Sequence, residues 1–353
     1  MTTPSLLLAD ARALPLPDAS VDLVVTSPPY WRKRDYGVTG QLGQETTPAA
    51  YTAALMDCLT EWWRVLTPTG SVFLNVGDGY HRRALAGIPG RIETAAADAG
   101  WLLRNRIIWT KTRGNPDPAR DRLTPRHEYV LHLTPSRRYH YDLAGYTQQY
   151  GPTSGANPGD VWAINPERGL HTHLAPYPVE LARRAILLGC PRTVCTTCGH
   201  TPERILAPSG DLDTTRPQAR RAMQLAKEAG LTEAHLAAIR ATGISDAGKA
   251  LLTQTGTGRN SAEVQALAAE AKAVLGGYFR EFTFGPKVTV SWTDCGHDAR
   301  RPGRVLDPFS GTGTTGIAAA ELDLTYIGAD LSAEAHAIAT TRLTTPGQTA
   351  LAA

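Results

Sequence analysis

Residues able to do chemistry gather in three short stretches of this chain. The first is Val305-Leu-Asp307-Pro-Phe309-Ser310-Gly311-Thr-Gly313-Thr314-Thr-Gly316, which reads as a strand, a glycine-rich turn and the start of a helix. Glycines suit such a turn because it demands positive φ and because a bulky cofactor must approach the backbone closely. Farther on, Asp330 ends the next strand, a position from which a carboxylate accepts hydrogen bonds from ribose hydroxyls. A nucleotide-containing cofactor is therefore expected. It is not held as in a phosphate-cradling P-loop, since Ile317 follows Gly316 where that motif needs Lys. The second stretch, Thr26-Ser27-Pro28-Pro29-Tyr30, lies at the edge where open α/β sheets place their ligands, although a rigid Pro-Pro turn accounts for it on structural grounds alone. The third is Cys195-Thr-Thr-Cys198, which with Cys295-Gly-His297 makes two halves of a tetrahedral zinc site. His200 is the alternative fourth ligand. Reduced surface thiols are the alternative to metal, because about 100 residues separate the two halves, more than in a compact zinc ribbon.

These residues need elements to hold them. Residues 20–26 read as a buried strand stopped by the two prolines, residues 51–66 carry apolar side chains at helical spacing up to Pro68 and Gly70, and residues 71–76 are again strand-like. The βαβ rhythm continues with strands at 101–109 and 129–133, on either side of a loop rich in Gly, Pro and Arg, and with a helix at 180–188. From about residue 211 to residue 277 the composition changes to Ala-rich helical segments, and the strand pattern resumes at Arg304. The expected fold is therefore α/β with a helical insert, in three segments: a catalytic half over 1–194, a zinc-pinned insert over 195–298 and a cofactor-binding part over 299–353. Only 23 residues follow Asp330, so strands from the N-terminal half must complete the sheet, which is a permuted order.

A chain that is 42% hydrophobic and 20% charged can bury a sizeable core, and no apolar run approaches the 18 residues of a membrane span. The first ten residues have no basic region and only a four-residue apolar run, so no secretory leader is expected and a cytoplasmic location is. The net charge of +3 is too small to announce a polyanionic partner, but its distribution is uneven. Residues 81–140 hold 12 Lys and Arg against 5 Asp and Glu, interleaved with Trp101, Trp109, Tyr129, Tyr139 and Tyr141. Arg113, Arg122 and Arg126 in that stretch are candidate phosphate contacts, the alternative being a solvated face. Residues 201–294 are nearly neutral, with 11 basic against 10 acidic side chains, which favours a packed helical subdomain over a DNA-reading helix-turn-helix.

Taken with the glycine loop, the tetrapeptide Ser27-Pro28-Pro29-Tyr30 resembles the catalytic motif of the amino-group DNA methyltransferases, and residues 307–313 resemble their S-adenosylmethionine loop. The similarity extends through Asn115-Pro116, Arg122-x-Thr124-x-x-His127-Glu128, Asp160-Val-Trp162 and His173-x-Ala175-Pro-Tyr177-Pro178-x-Glu180-Leu181. With the catalytic motif first and the cofactor loop last, the order is that of the family's β class. The resemblance implies a Rossmann-like methyltransferase fold and S-adenosylmethionine contacts from Asp307, Phe309, Ser310, Gly311, Gly313, Thr314, Asp330, His173 and Pro178, with Asp307 facing the cofactor's amino acid end. It further implies methylation of double-stranded DNA and a cognate restriction endonuclease as partner. Ser27 and Pro28 would accept hydrogen bonds from the target amine, Pro29 would help fix the turn, and Tyr30 would stack on a base rotated out of the duplex. A serine at the head of the motif leans towards N4 of cytosine, with N6 of adenine as the alternative. No Pro-Cys dipeptide is present, so a carbon-5 cytosine nucleophile is not expected. A nicotinamide-dependent dehydrogenase on the same glycine loop, or a non-catalytic zinc protein that binds DNA, would be the rival classes.

Overall fold

The computed structural model describes residues 4–112, 118–152, 156–166, 176–208, 212–247, 260–283 and 287–344. The chain divides into two compact units, one of residues 1–143, 159–202 and 294–353, the other of residues 144–158 and 203–293.

In the first unit, β1 (Ser5–Leu8), β2 (Val21–Thr26) and β3 (Leu66–Val76) precede a short hairpin of β4 (Tyr80–His81) and β5 (Ala84–Leu85). Then follow β6 (Leu102–Thr110), β7 (His127–Thr134), β8 (Val161–Ala163) and β9 (Thr193–Cys195). A ribbon in the second unit supplies β10 (Arg204–Pro208) and β11 (Lys287–Trp292), after which the first unit resumes with β12 (Arg300–Pro302), β13 (Arg304–Asp307) and β14 (Thr325–Asp330). Eight strands form the main sheet in the order β1-β14-β13-β2-β3-β7-β6-β8. The first five are mutually parallel, β7 is antiparallel to β3 and β6, and β8 is parallel to β6. The permuted order expected from the short C-terminal segment is thus realised: β13, from the far end of the chain, sits in the middle of the sheet beside β2.

Every residue of β2 is buried, as in a parallel strand covered on both faces. Val24, Val72 and Leu74 turn towards one layer, which contains helices α1 (Pro48–Val65) and α2 (Ile88–Asp98) and the fully buried Trp62. Leu23 and Phe73 turn to the other side, against Gly189 at the end of the helix Val179–Gly189, where a Cβ would lie only 2.8 Å from each of them. The first helix begins three residues before the expected 51: Thr47 caps it by accepting from Ala50 N at 3.1 Å, Pro48 occupies the first turn, and Leu66 turns extended to end it. The following strand starts at Leu66, earlier than expected. Gly70 explains how its first residues fit, since a Cβ there would meet Leu66 Cδ2 at 2.7 Å and Asp22 O at 3.0 Å.

In the second unit Pro217–Glu228, Glu233–Ala247, Ala262–Leu275 and Phe279–Thr283 are helical, around a core of Leu212, Ala222, Ile239, Leu275 and Phe282. The boundaries differ from those expected at residues 194/195 and 298/299. The chain leaves the first unit after Pro202 and returns at Asp294, so Cys195, Cys198, Cys295 and His297 belong to the first unit, and residues 144–158 join the second. The physical reason is that β9 and β12 pair antiparallel, Cys195 opposite Arg300, while the Arg301 guanidinium on β12 is held by buried Asp22 of β2 at 2.6 and 3.0 Å. Among the described residues no helix is long and apolar enough to cross a membrane.

Candidate active site

Parallel register brings the C-terminal ends of β2, β3, β13 and β14 to one edge of the sheet, and antiparallel β7 begins there. A cavity of about 930 Å³ opens at this edge, lined by Ser27, Pro28, Pro29 and Tyr30 from one side and by Phe309, Ser310, Gly311 and Asp330 from another. That volume is in the range of sites that enclose a whole small molecule.

Each half of the cavity has its own order. On the cofactor-loop side, Asp330 is held at the end of β14 with Oδ2 accepting from Gly311 N and Oδ1 from Ser332 N, both at 2.8 Å. Burial raises its pKa above the ordinary carboxylate value. Gly311, at φ +49°, faces open space, with nothing nearer than 3.9 Å to the position of a Cβ. Gly313 and Gly316 serve a different need. A Cβ on Gly313 would crowd Leu343 at 3.1 Å, and one on Gly316 would meet the Tyr326 ring at 2.6 Å. Gly313 and Pro178 do not line the cavity, Gly313 capping the helix Thr314–Glu321 and Pro178 the helix Val179–Gly189, while Pro176 and Tyr177 reach the wall. Thr314 does line it.

Asp307 is bonded within the fold. Although it borders the cavity, Oδ1 accepts from Thr26 Oγ1 at 2.6 Å and Phe309 N at 3.1 Å, and Oδ2 accepts from Tyr177 OH at 3.0 Å and from Thr315 Oγ1. Four donors occupy its lone-pair positions. Its role is to tie β2, β13 and the Tyr177 segment together beneath the site. Burial pushes its pKa up to about 6 against the pull of these hydrogen bonds.

On the opposite side, Tyr30 OH donates to Glu128 Oε2 at 2.6 Å and accepts from Ser27 Oγ at 3.3 Å. Asn75, at the end of β3, donates through Nδ2 to Tyr30 OH at 2.7 Å, Glu128 Oε2 at 3.1 Å and Ser27 Oγ at 3.3 Å. Lys111 Nζ pairs with Glu128 Oε1 and lies 4.2 Å from the centre of the Trp109 ring. Burial, and then the Glu128 carboxylate, hold the Tyr30 phenol well above its ordinary pKa, so it keeps its proton. One face of the Tyr30 ring rests on Gly77, where a Cβ would come within 2.6 Å. Pro29 O accepts from Tyr51 OH at 3.0 Å, which fixes the turn from behind.

In the sequence Glu128 stands out only as the last residue of the Arg122–Glu128 motif, with no role assigned, and Asn75 and Lys111 are not singled out. The one local sign was a polar Asn inside the apolar run 71–76, and its partners lie 45 to 53 positions away. Arg122 borders the cavity with its guanidinium 3.6 Å from the centre of the Tyr80 ring, and Arg126 is exposed. Arg113 and His173 lie outside the described residues. Cys195, Cys198, Cys295 and His297 converge, with one ligand atom from each within 4.8 Å of the others, and none of them lines the cavity.

Comparison with known proteins agrees with this architecture. The family model for N6/N4 enzymes, described as DNA methylase, matches residues 21–193 and 300–341. Type II methyltransferase M.Cfr9I of Citrobacter freundii is 34% identical over 201 residues, spanning 49% of this chain and 67% of that protein. M.SmaI of Serratia marcescens is 34% identical over 202 residues, spanning 48% and 68%. Among solved structures, the cytosine-N4-specific PvuII DNA methyltransferase shares the fold with a TM-score of 0.56 at 15% identity, covering 98% of this chain and 89% of that one. TTHA0409 of Thermus thermophilus, complexed with S-adenosyl-L-methionine, has a TM-score of 0.50 at 20% identity, covering 98% and 96%.

Proposed function

The chain belongs to the N6/N4 family of DNA methylases, and on that footing we propose that it transfers the methyl group of S-adenosylmethionine to the exocyclic N4 amine of cytosine in double-stranded DNA. Its likeness to type II methyltransferases supports a role in restriction–modification, with a cognate restriction endonuclease as its partner in the cell. The observation that carries the reading is that Ser27 and Pro28 share one cavity with the Phe309–Gly311 loop and Asp330. A target amine and a methyl donor could therefore meet without either leaving the site.

The residues present fit S-adenosylmethionine. Asp330 offers its carboxylate at a strand end, Gly311 leaves the backbone bare for close approach, and Phe309 gives an apolar wall. When bound, that cofactor supplies an electrophilic methyl group on a sulfonium. The chain's own task is to prepare the amine. Its nitrogen shares its lone pair with the ring and is a poor nucleophile, so acceptors that draw its hydrogens out of the ring plane raise its reactivity. Pro28 supplies a carbonyl on a backbone already stiffened by two prolines, with little reorganisation to follow. Ser27 is a prepared acceptor: with its proton directed to Tyr30 OH, a lone pair is left for the amine.

The same hydrogen bonds offer a route for the proton that the amine must lose once its new N–C bond has formed. It would pass to Ser27 Oγ as the serine proton moves to Tyr30 OH and the tyrosine proton to Glu128 Oε2, with Lys111 compensating the carboxylate charge beforehand. No covalent bond to the enzyme is needed. The Tyr30 ring, supported on Gly77, would stack on the extruded base. Cytosine is favoured by Ser27, the residue that resembles the head of the cytosine-N4 motif.

Nucleoside mass spectrometry of DNA treated with the enzyme tests the proposal. N4-methylcytosine is the expected product; N6-methyladenine would overturn the base assignment, and 5-methylcytosine would overturn the amine chemistry. Ser27→Ala should lower the methylation rate by roughly 100-fold or more, as for loss of one preorganised transition-state hydrogen bond, while cofactor affinity barely moves.

A further inference from the structure

We propose that Cys195, Cys198, Cys295 and His297 bind one structural zinc ion in the first unit that ties together the two ends of the excursion over residues 203–293. This stands apart from the methyl-transfer reading, because none of the four borders the cavity. The two halves are far apart in sequence, with Cys195 and His297 separated by 102 positions, yet Cys195 Sγ and His297 Nδ1 lie 3.6 Å apart. All four ligand atoms lie within 4.8 Å of one another, about 1 Å wider than the edge of a tetrahedron built on zinc–sulfur bonds of about 2.3 Å. Three thiolates and one imidazole are a donor set of structural zinc, and four protein ligands leave no position for substrate.

The backbone is already shaped for such an ion. In the first half, Cys195 N donates to His200 O at 2.9 Å and Gly199 N to Cys195 O at 3.0 Å, a tight turn completed by Gly199 at φ +73°. The second half has the matching glycine, Gly296 at φ +72°, and Asp294 Oδ1 accepts from Cys295 N at 2.8 Å and from Arg300. Both turns sit on the β9–β12 pair, and Thr196 N reaches across to Ala299 O at 3.0 Å. Pro202 and Asp294, where the chain crosses between units, lie within four residues of a proposed ligand. A metal here would hold the two crossing strands side by side whatever happens in the 91 residues of 203–293 between them. The pairing of a Cys-x-x-Cys-Gly turn with a Cys-Gly-His turn gives each half two ligands.

The test uses the full-length protein, expressed in zinc-supplemented medium and purified without chelator. Elemental analysis should give about one zinc per chain, and replacement by cobalt should give the visible spectrum of a tetrahedral thiolate site. Cys198→Ser and His297→Ala should each weaken zinc retention against a competing chelator by at least tenfold, whereas His200→Ala and Cys190→Ser should not. Stripping the metal should also speed hydrogen exchange at Cys195, Thr196 and Gly199, a readout that needs no variant. A metal-free protein whose three thiols titrate freely would overturn the proposal. So would a Cys195–Cys198 disulfide, or zinc retained unchanged when Cys198 and His297 are both replaced.

Discussion

Acid should unfold this protein partly through one side chain. His132, on β7, is 1% exposed, and neither ring nitrogen has a hydrogen-bond partner among the described residues. Its ring is stacked on Phe73, with centroids 4.3 Å apart and planes 13° apart, and on Tyr141 at 5.4 Å and 17°. Burial therefore lowers its pKa from 6.5 to about 3, with a smaller push from Arg104. The folded-state pKa is depressed, so the unfolded chain binds the extra proton. The stabilisation is nearly complete above pH 7 and is lost progressively as pH falls through 6.5 towards 3. With these two values the loss is about 0.2 kcal/mol at pH 7, about 2 kcal/mol at pH 5 and about 3 kcal/mol at pH 4, a large share of a typical folding free energy of roughly 5–15 kcal/mol. Urea unfolding of the protein and of His132→Phe at pH 7.5, 6 and 5 isolates this contribution. Any packing difference between Phe and His is independent of pH, so only the ring's titration can change the gap between the two curves. The gap should widen by about 2 kcal/mol in favour of the variant from pH 7.5 to pH 5. Parallel curves, or a His132 C2–H resonance that titrates near pH 6.5 in the folded protein, would refute the reasoning.

Three further outcomes concern the proposed site and its surroundings. Asp330→Ala should weaken S-adenosylmethionine binding by about 1–3 kcal/mol, roughly 5- to 150-fold in Kd by calorimetry, through lost charge-assisted hydrogen bonds; unchanged affinity in a folded variant would remove Asp330 from the cofactor site. Glu128→Gln keeps the shape of the side chain but removes the charge at the end of the Ser27–Tyr30 relay, and should lower kcat by roughly 100-fold or more with cofactor Kd unchanged. Retained kcat would make the carboxylate a packing group only. Replacing Arg122 and Arg126 by Gln should weaken binding to all DNA sequences alike and reduce the salt slope by about 0.9 for each phosphate left without its arginine, whereas altered sequence preference at constant slope would make them base readers.

What the sequence disclosed was whatever is encoded locally. The Ser27-Pro28-Pro29 stop and the strand–glycine–helix run at 304–321 are short-range patterns, and both reappear at one sheet edge. The alternation of apolar side chains likewise marked β6, β7 and the first helix to within a few residues. The rest depends on partners distant along the chain. Glu128 belonged to a recognisable motif, but its role emerged only when β7 paired with β3 and set it beside Asn75 and Tyr30, the latter 98 positions away. Asp307 has the type and place of a ligand contact, and only its bonds to Thr26 and Tyr177 reveal that its lone pairs are taken. Gly313 and Gly316 fit a cofactor-binding spacing, yet the atoms that exclude a Cβ there belong to Leu343 and Tyr326. Spacing can announce that a small residue is required without saying which neighbour requires it.

The place of β13 between β14 and β2 bears on how the protein is made. Thr26 and Asp307, joined by a 2.6 Å hydrogen bond beneath the site, are 281 positions apart. At about 5–20 residues per second, a ribosome takes roughly 15–60 s to add the second after the first. Throughout that interval one side of β2 and its buried apolar residues wait for a neighbour not yet synthesised, and β1 waits still longer for β14. Nascent chains of this protein therefore carry an open strand edge and no cofactor loop, which makes them candidates for chaperone binding. On the proposed reading, the same delay would keep an unfinished chain from modifying DNA, because the methyl donor's half of the cavity is translated after the Ser27–Tyr30 half.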